Sequence, residues 1–253
     1  MPDLSFSIQA FSMCSPATGS VTCLDAAEHT QWQDHVDDQS WRPDDSFMPK
    51  RQLRRLSRLS KMALFCAHHA NAACDGIDIG APIFCSRYGE LNNTANVLSS
   101  IQNKELVSPM DFSYAVHNTG QGLFSILHKD TRPATALSAR ESIVEEALVK
   151  AYAQLENGND AVLVVYQEDD LPEAYKGFSG KSFMPLSFGL VLKQAGKNTK
   201  NRLTLSFQPE QSDRARKNYN QHEQNIAKLF LNGGGETTLQ SKRMQWNWRY
   251  ETH

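Results

Sequence analysis

From residue 50 onward the chain alternates between two hydrophobic periods. Short unbroken apolar runs at residues 81–86, 134–137, 161–166 and 186–192 have the length of buried strands. Around them lie segments whose apolar residues recur every three or four positions. In residues 50–67, Leu53, Leu56, Ser60, Ala63, Leu64 and Ala67 share one helix face and Arg51, Arg54, Arg55 and Arg58 another, with Pro49 suited to a first turn. Residues 94–102 read as a helix with Ala95, Val97, Leu98 and Ile101 inward. Residues 110–127 read as one mainly apolar helix in which Gly120 and Gly122 permit close backbone approach. Alternation around Phe6 and Ile8 makes residues 4–14 a first strand, and residues 202–207 suggest a last one. Strand and helix in turn predict an α/β fold, a layered α/β/α domain on a mixed, mostly parallel sheet.

Two stretches depart from this pattern. Residues 15–48 are polar and acidic, with Asp34, Asp37, Asp38, Asp44 and Asp45 and isolated Trp32, Trp41 and Phe47, and read as a loop or irregular insertion. Residues 213–231 are loosely helical, Gly233, Gly234 and Gly235 interrupt them, and residues 244–250 form an aromatic-rich tail. Packing of that tail onto the domain or a partner is favoured over stacking on a nucleobase. The expectation is one domain over residues 1–253, with an insertion at 15–48 and an extension at 209–253.

The sharpest local feature is the passage from Ala134, Thr135, Ala136 and Leu137 into the helix of residues 143–155. So short a junction aims free N–H groups and the positive end of the helix dipole at the side chains in the turn. Those include Ser138 and Glu141, and no cysteine. Their spacing fits a capping box, the serine taking one helix N–H and the glutamate reaching back to another.

Composition narrows the classes without naming one. The chain has 253 residues, 40% hydrophobic and 21% charged, with a net charge of −2, and carries no nucleic-acid signature. No apolar run approaches the ~18 residues of a membrane span, and the first residues lack a basic region and apolar core, so a cytoplasmic protein is expected. The five cysteines are scattered without CxxC spacing, which favours reduced thiols over disulfides or a metal site. Neither a metal nor a cofactor is expected. Cys85 sits inside a strand, where nothing lowers its pKa, and reads as a packed small hydrophobe.

Residues 133–148 resemble the β-ketoacyl synthases without a gap, and Glu141 falls where those enzymes carry their acyl-accepting cysteine. Residues 112–126 resemble the preceding helix, with Asn118 and Gly122 in register, and residues 87–91 the loop after an earlier strand. The likeness spans about residues 50–195 and is nearest to the chain-length factors of aryl polyene biosynthesis. It implies the N-terminal half of a thiolase-like (ketosynthase) fold. It also implies that the family's histidines, supplied by the second half, are missing, since after Glu141 only His222 and His253 remain.

A chain with this pattern does not condense acyl units itself. The resemblance implies a non-catalytic subunit that pairs with an active β-ketoacyl synthase as a heterodimer and shapes its acyl or polyene tunnel. Residues 134–137 then pair antiparallel with their counterpart across a pseudo-two-fold axis, while Tyr114, His117, Asn118, Phe124 and Leu127 lie near interface and tunnel. Arg51, Arg54, Arg55 and Arg58 then dock an acyl carrier protein bearing a phosphopantetheine-linked chain, or are simply a solvated face. Such a truncated fold is expected to expose apolar surface and to be poorly soluble or unstable alone. Glu141 is read as a helix cap, as a fixed polar plug at the partner's tunnel mouth, or as the counterpart of the glutamine in related malonyl-decarboxylating subunits. The alternative class is a stand-alone acyl-transfer or thioester-hydrolysing enzyme, with Cys85 or Ser138 as nucleophile and His117 or His128 as base. It lacks a Gly-x-Ser-x-Gly or Gly-x-Cys-x-Gly elbow.

Overall fold

The computed structural model describes residues 3–34, 40–179, 184–210 and 219–252. Asp37, Asp38, His253 and the start of the helix expected at Asp213 lie outside the described residues. The chain opens with β1 (Asp3–Ser15), in which Leu4, Phe6 and Ile8 turn inward at every second position. The stretch expected as a loop over 15–48 carries regular elements: β2 (Gly19–Val21) pairs back on β1, and α1 (Leu24–Glu28) follows. Trp32 packs against the core on one face of the sheet, and Trp41 and Phe47 against that on the other.

The single helix expected over 50–67 is two, α2 (Lys50–Leu53) and α3 (Arg58–Ala72). The break has a local cause: Ser57 Oγ accepts the N–H of Ser60 at 2.9 Å and starts α3 afresh. Then come β3 (Ile83–Cys85), α4 (Leu91–Gln102), α5 (Pro109–Ser113) and α6 (Thr119–His128). Residues 110–127 are therefore also two helices, not one. Ser108 caps α5, and Lys129 closes α6 in the left-handed conformation with φ 52°. Gly120 faces Gln167, whose Oε1 lies 2.8 Å from where a Cβ would stand, while Gly122 has no neighbour within 4 Å.

β4 (Thr135–Leu137) and α7 (Ile143–Glu156) follow, then β5 (Val162–Glu168), α8 (Glu173–Ser179), β6 (Leu186–Gln194) and β7 (Asn201–Pro209). The C-terminal segment adds α9 (Tyr219–Leu231), β8 (Gly235–Gln240) and β9 (Met244–Thr252). Its tail does pack back on the domain: Trp246, Trp248 and Tyr250 are buried.

The strands form one mixed sheet in the order β4-β3-β5-β6-β1-β7-β9-β8, with β2 alongside β1. β4, β3 and β5 pair in parallel, and β6 reverses direction. β1 is antiparallel to β6 and so runs with the parallel group. The sheet is mixed as expected, but it is not mostly parallel: among the named strands only the β4–β3 and β3–β5 pairings are parallel, because β6 follows β5 through α8 as an antiparallel neighbour instead of crossing over. Beyond β1 the sheet continues antiparallel through β7, β9 and β8, half solvated as such strands are, with β8 and β9 joined by a short turn and α9 between β7 and β8.

Helices cover both faces. The core on one face joins α7 and α9 to β1, β3, β5, β6 and the β7–β9 strands. The core on the other joins α3 and α6 to the same central strands. The sheet curls enough that Trp248 of β9 reaches Glu145 of α7. β4 is left as an outer edge, its three residues half-buried.

Candidate functional site

The β4–α7 turn is built differently from the capping box expected of it. Helix α7 begins at Ile143 with Ser142 as N-cap and no side-chain cap bond. Ser138 lies four positions upstream of that cap, too far to reach the first helical N–H groups. Its Oγ instead donates to the carbonyl of Arg87 at 3.1 Å. The Glu141 carboxylate accepts the backbone N–H of Lys242 at 2.8 Å, from the turn between β8 and β9. The residue at the centre of the site is thus tied to the C-terminal segment of its own chain.

Behind the turn lies a buried polar cluster that sequence reading missed. Arg87, just past β3, donates from Nε to the carbonyl of Arg140 at 2.8 Å and from Nη2 to Glu223 Oε1 at 2.6 Å. Its backbone N–H donates to Glu168 Oε2 at 2.7 Å. Glu145 Oε1 accepts from Trp248 Nε1 at 2.8 Å and pairs with His222 Nε2 at 2.6 Å. Glu145, Glu168 and Glu223 are each at most 1% exposed. Burial pushes the Glu168 carboxyl up to about 7, against the pull of Arg87, and also raises Glu223. Burial works against the His222 imidazolium, but the Glu145 carboxylate outweighs it and holds the ring above its ordinary value. A pattern search finds none of this, because the five residues come from four separated segments.

The other candidates are dispersed. His117 Nε2 meets the Ser86 carbonyl at 2.8 Å, and its ring packs under Gly89. Asn118 is the exposed N-cap of α6, with no side-chain cap bond. Phe124 is 2% exposed, stacked on His128 at 4.4 Å and packed near Phe84, and Leu127 leans on the same core. Phe124 is thus an interior side chain and Leu127 a half-buried one, both packed within this chain. Tyr114 is half-buried and lines an open cavity with Arg55, Asn93, Val97 and Asp111. Of the basic face, Arg51, Arg54 and Arg55 are exposed, but Arg58 is turned in, forking onto the Asp169 carboxylate at 2.9 and 3.2 Å from Nε. Cys85 is fully buried, and burial together with Glu168 pushes its thiol well up, the reverse of what a nucleophile needs.

Leu98 and Ile101, expected inward on α4, are instead 49% and 58% exposed. With Leu106 at 101%, Phe112 at 63%, Val116 at 42% and Ile126 at 74% they form the main exposed apolar side chains of the α4–α6 excursion. Among the described residues no group of His, Cys, Asp and Glu could hold a metal ion, and no helix is long and apolar enough to cross a membrane.

The family profile described as beta-ketoacyl synthase, N-terminal domain, matches residues 27–249. A chain of the ketosynthase (ApeO) in complex with its chain length factor (ApeC) from Xenorhabdus doucetiae superposes with a TM-score of 0.78 at 23% identity, over 97% of this chain and 99% of that one. A chain of the ishigamide ketosynthase/chain length factor gives 0.69 at 13% identity, over 98% and 99%. A chain of AntDE:AntF, described as a type II PKS acyl-carrier protein in complex with its ketosynthase bound to the hexaketide, gives 0.64 at 11%, over 98% and 99%. At such identities the likeness is one of fold. No curated protein matches the chain significantly.

Proposed function

The chain belongs to the β-ketoacyl synthase N-terminal domain family, and from that premise we propose that it is a non-catalytic chain-length factor working beside an active ketosynthase. One observation carries the reading. The resemblance of residues 133–148 puts Glu141 where the family carries its acyl-accepting thiol, and the Glu141 carboxylate accepts the Lys242 amide N–H. A carboxylate is no substitute for the thiolate, because its attack on a thioester would release the thiol and leave a mixed anhydride, which is higher in energy than the thioester it came from. The thiol on the adjacent strand, Cys85, is sealed in the core.

The β4 edge supports a partner. Thr135 N–H bonds to Pro82 and Leu137 C=O accepts from Ser86, so in the alternation of a parallel ladder the groups of Ala136 face outward. An apolar strand with free groups is a template for a second strand, and α6, which packs on β3, presents Ile126 to solvent nearby in the chain. The proposed partner is a β-ketoacyl synthase subunit, joined antiparallel through β4, and two of the solved structures cited above are described as complexes of that kind. Exposed Phe112, Val116 and Ile126 are added to Tyr114, His117, Asn118, Phe124 and Leu127 as the side chains proposed to bear on the interface and the shared acyl tunnel. Exposed Arg51, Arg54 and Arg55 are the proposed contact for an acidic acyl carrier protein with its phosphopantetheine-linked chain. The product class proposed is an aryl polyene or a related polyketide or fatty-acid-type chain.

Co-expression with a ketosynthase from the same gene neighbourhood tests the assignment. A stoichiometric complex is expected on gel filtration, with acyl-carrier thioester loading only the ketosynthase by intact mass. An acyl adduct on this chain, or turnover of the thioester by the chain alone, would overturn it.

A further inference from the structure

The cluster behind the turn holds three carboxyls against two cations in a closed space. Glu168 comes from the end of β5, Glu145 from α7 and Glu223 from α9, while Arg87 comes from the loop after β3 and His222 from α9. The neighbouring titratable groups are Tyr166 on β5 and Cys85 on β3, both buried and both held neutral by burial and the surrounding carboxylates. Asp169, next along from Glu168, is turned away to Arg58 on α3. Fully ionised, the cluster carries one net negative charge with no solvent to screen it. Glu145 Oε2, Glu223 Oε2 and His222 Nδ1 are buried without a hydrogen-bond partner, which marks where charge is least well compensated.

The same residues hold the C-terminal segment in place. Glu223 meets Arg87, and Arg87 meets the Arg140 carbonyl in the β4–α7 turn. His222 and Trp248 meet Glu145 at the start of α7. Lys242 meets Glu141 at the surface. These links tie α9 and the β8–β9 hairpin to the one turn that the family uses for chemistry, and two of them run through the cluster.

We propose that Arg87, Glu145, Glu168, His222 and Glu223 form a proton-operated clasp: while its carboxyls share one proton, residues 219–252 stay seated on the turn bearing Glu141, and loss of that proton to water loosens them. The device is independent of any partner. Glu168 is the group that lets the proton go: the backbone N–H groups of Arg87 and Tyr88 are already aimed at its oxygens to receive the carboxylate, and its Oε2 lies 3.9 Å from Arg87 Nη1 while Glu223 Oε1 holds Nη2 at 2.6 Å, so its ionisation sets a second negative charge on one guanidinium. Once both carboxylates are charged, Arg87 alone cannot compensate them, and α9 carries Glu223 away. The turn with Glu141 then becomes accessible above neutral pH.

Amide hydrogen exchange on the full chain at about pH 6 and pH 8.5, corrected for intrinsic exchange, tests the clasp. Protection over residues 222–231 and 244–250 should fall roughly tenfold with rising pH, while β1 and β6 keep theirs. Glu168→Gln, which keeps the shape but removes the titration, should flatten that dependence. Should the variant fold poorly, infrared spectroscopy of the wild-type chain should show a buried protonated carboxyl at pH 6 that disappears by pH 8.5. Protection that ignores pH, a tenfold change that survives in Glu168→Gln, or the lack of a protonated carboxyl at pH 6 each overturns the proposal.

Discussion

Arg87 joins three separate parts of the chain through one side chain and one backbone N–H, and its surroundings set how stability responds to pH. A carboxyl raised by burial keeps its proton longer folded than unfolded. The contribution of Glu168 is therefore complete below its ordinary value near 4.5 and is lost as pH rises towards about 7, a loss of about 3 kcal/mol. His222, also raised, acts in the same direction: its contribution is present below about 6.5 and is lost as pH climbs through its folded value. His68, His69 and His128 are lowered, chiefly by burial, so their contribution disappears as pH falls below about 6.5. Urea midpoints should consequently pass through a maximum in mildly acidic buffer, and Glu168→Gln should shrink the decline above that maximum, leaving the part due to His222 and the whole of the acid one. A different residue-scale test concerns Phe124. Enclosed by Phe84 and His128, it should cost about 3–5 kcal/mol on truncation to alanine, read by denaturant unfolding. A side chain that lined an open tunnel would cost far less.

At the scale of elements, the exposed apolar side chains of α4 to α6 give a prediction about assembly. Phe112→Asp with Ile126→Asp replaces solvent-exposed apolar groups, so the isolated chain should keep its melting temperature or become more soluble, while affinity for a ketosynthase falls at least about tenfold. Unchanged affinity by calorimetry would place the interface elsewhere. Elements were legible in the sequence where one period ran unbroken. β1, β5, β6 and α7 lie within a few residues of their expected spans because their apolar positions are set by burial on one or both faces. The helices expected over 50–67 and 110–127 are each broken inside a period that continues past the break, the first where Ser57 starts α3 and the second between the end of α5 at Ser113 and the start of α6 at Thr119. The inward assignment of Leu98 and Ile101 assumed that apolar means buried, and their exposure on α4 breaks that rule. The turn at Glu141 was placed correctly but its bonds were not, because Lys242 and Arg87 reach it from 101 and 53 residues away.

At the scale of the molecule, the antiparallel extension β7–β9 and helix α9 enclose α7, so the core is more complete than a bare half-fold suggests. Apolar exposure is concentrated in the α4–α6 excursion, and β4 remains an unpaired edge. The account thus rests on that edge being where a second subunit joins. Ala136→Pro isolates it, since the proline removes an outward N–H, leaves the bonds of Thr135 and Leu137 to β3, and suits an edge strand. The decisive measurement is sedimentation of the wild-type chain and of Ala136→Pro, each mixed with the ketosynthase and each alone. The account predicts a one-to-one complex for the wild type and its loss in the variant, whose own fold and melting temperature stay nearly unchanged. A variant that binds as tightly as the wild type, or a wild-type chain that sediments alone beside the ketosynthase, would contradict it.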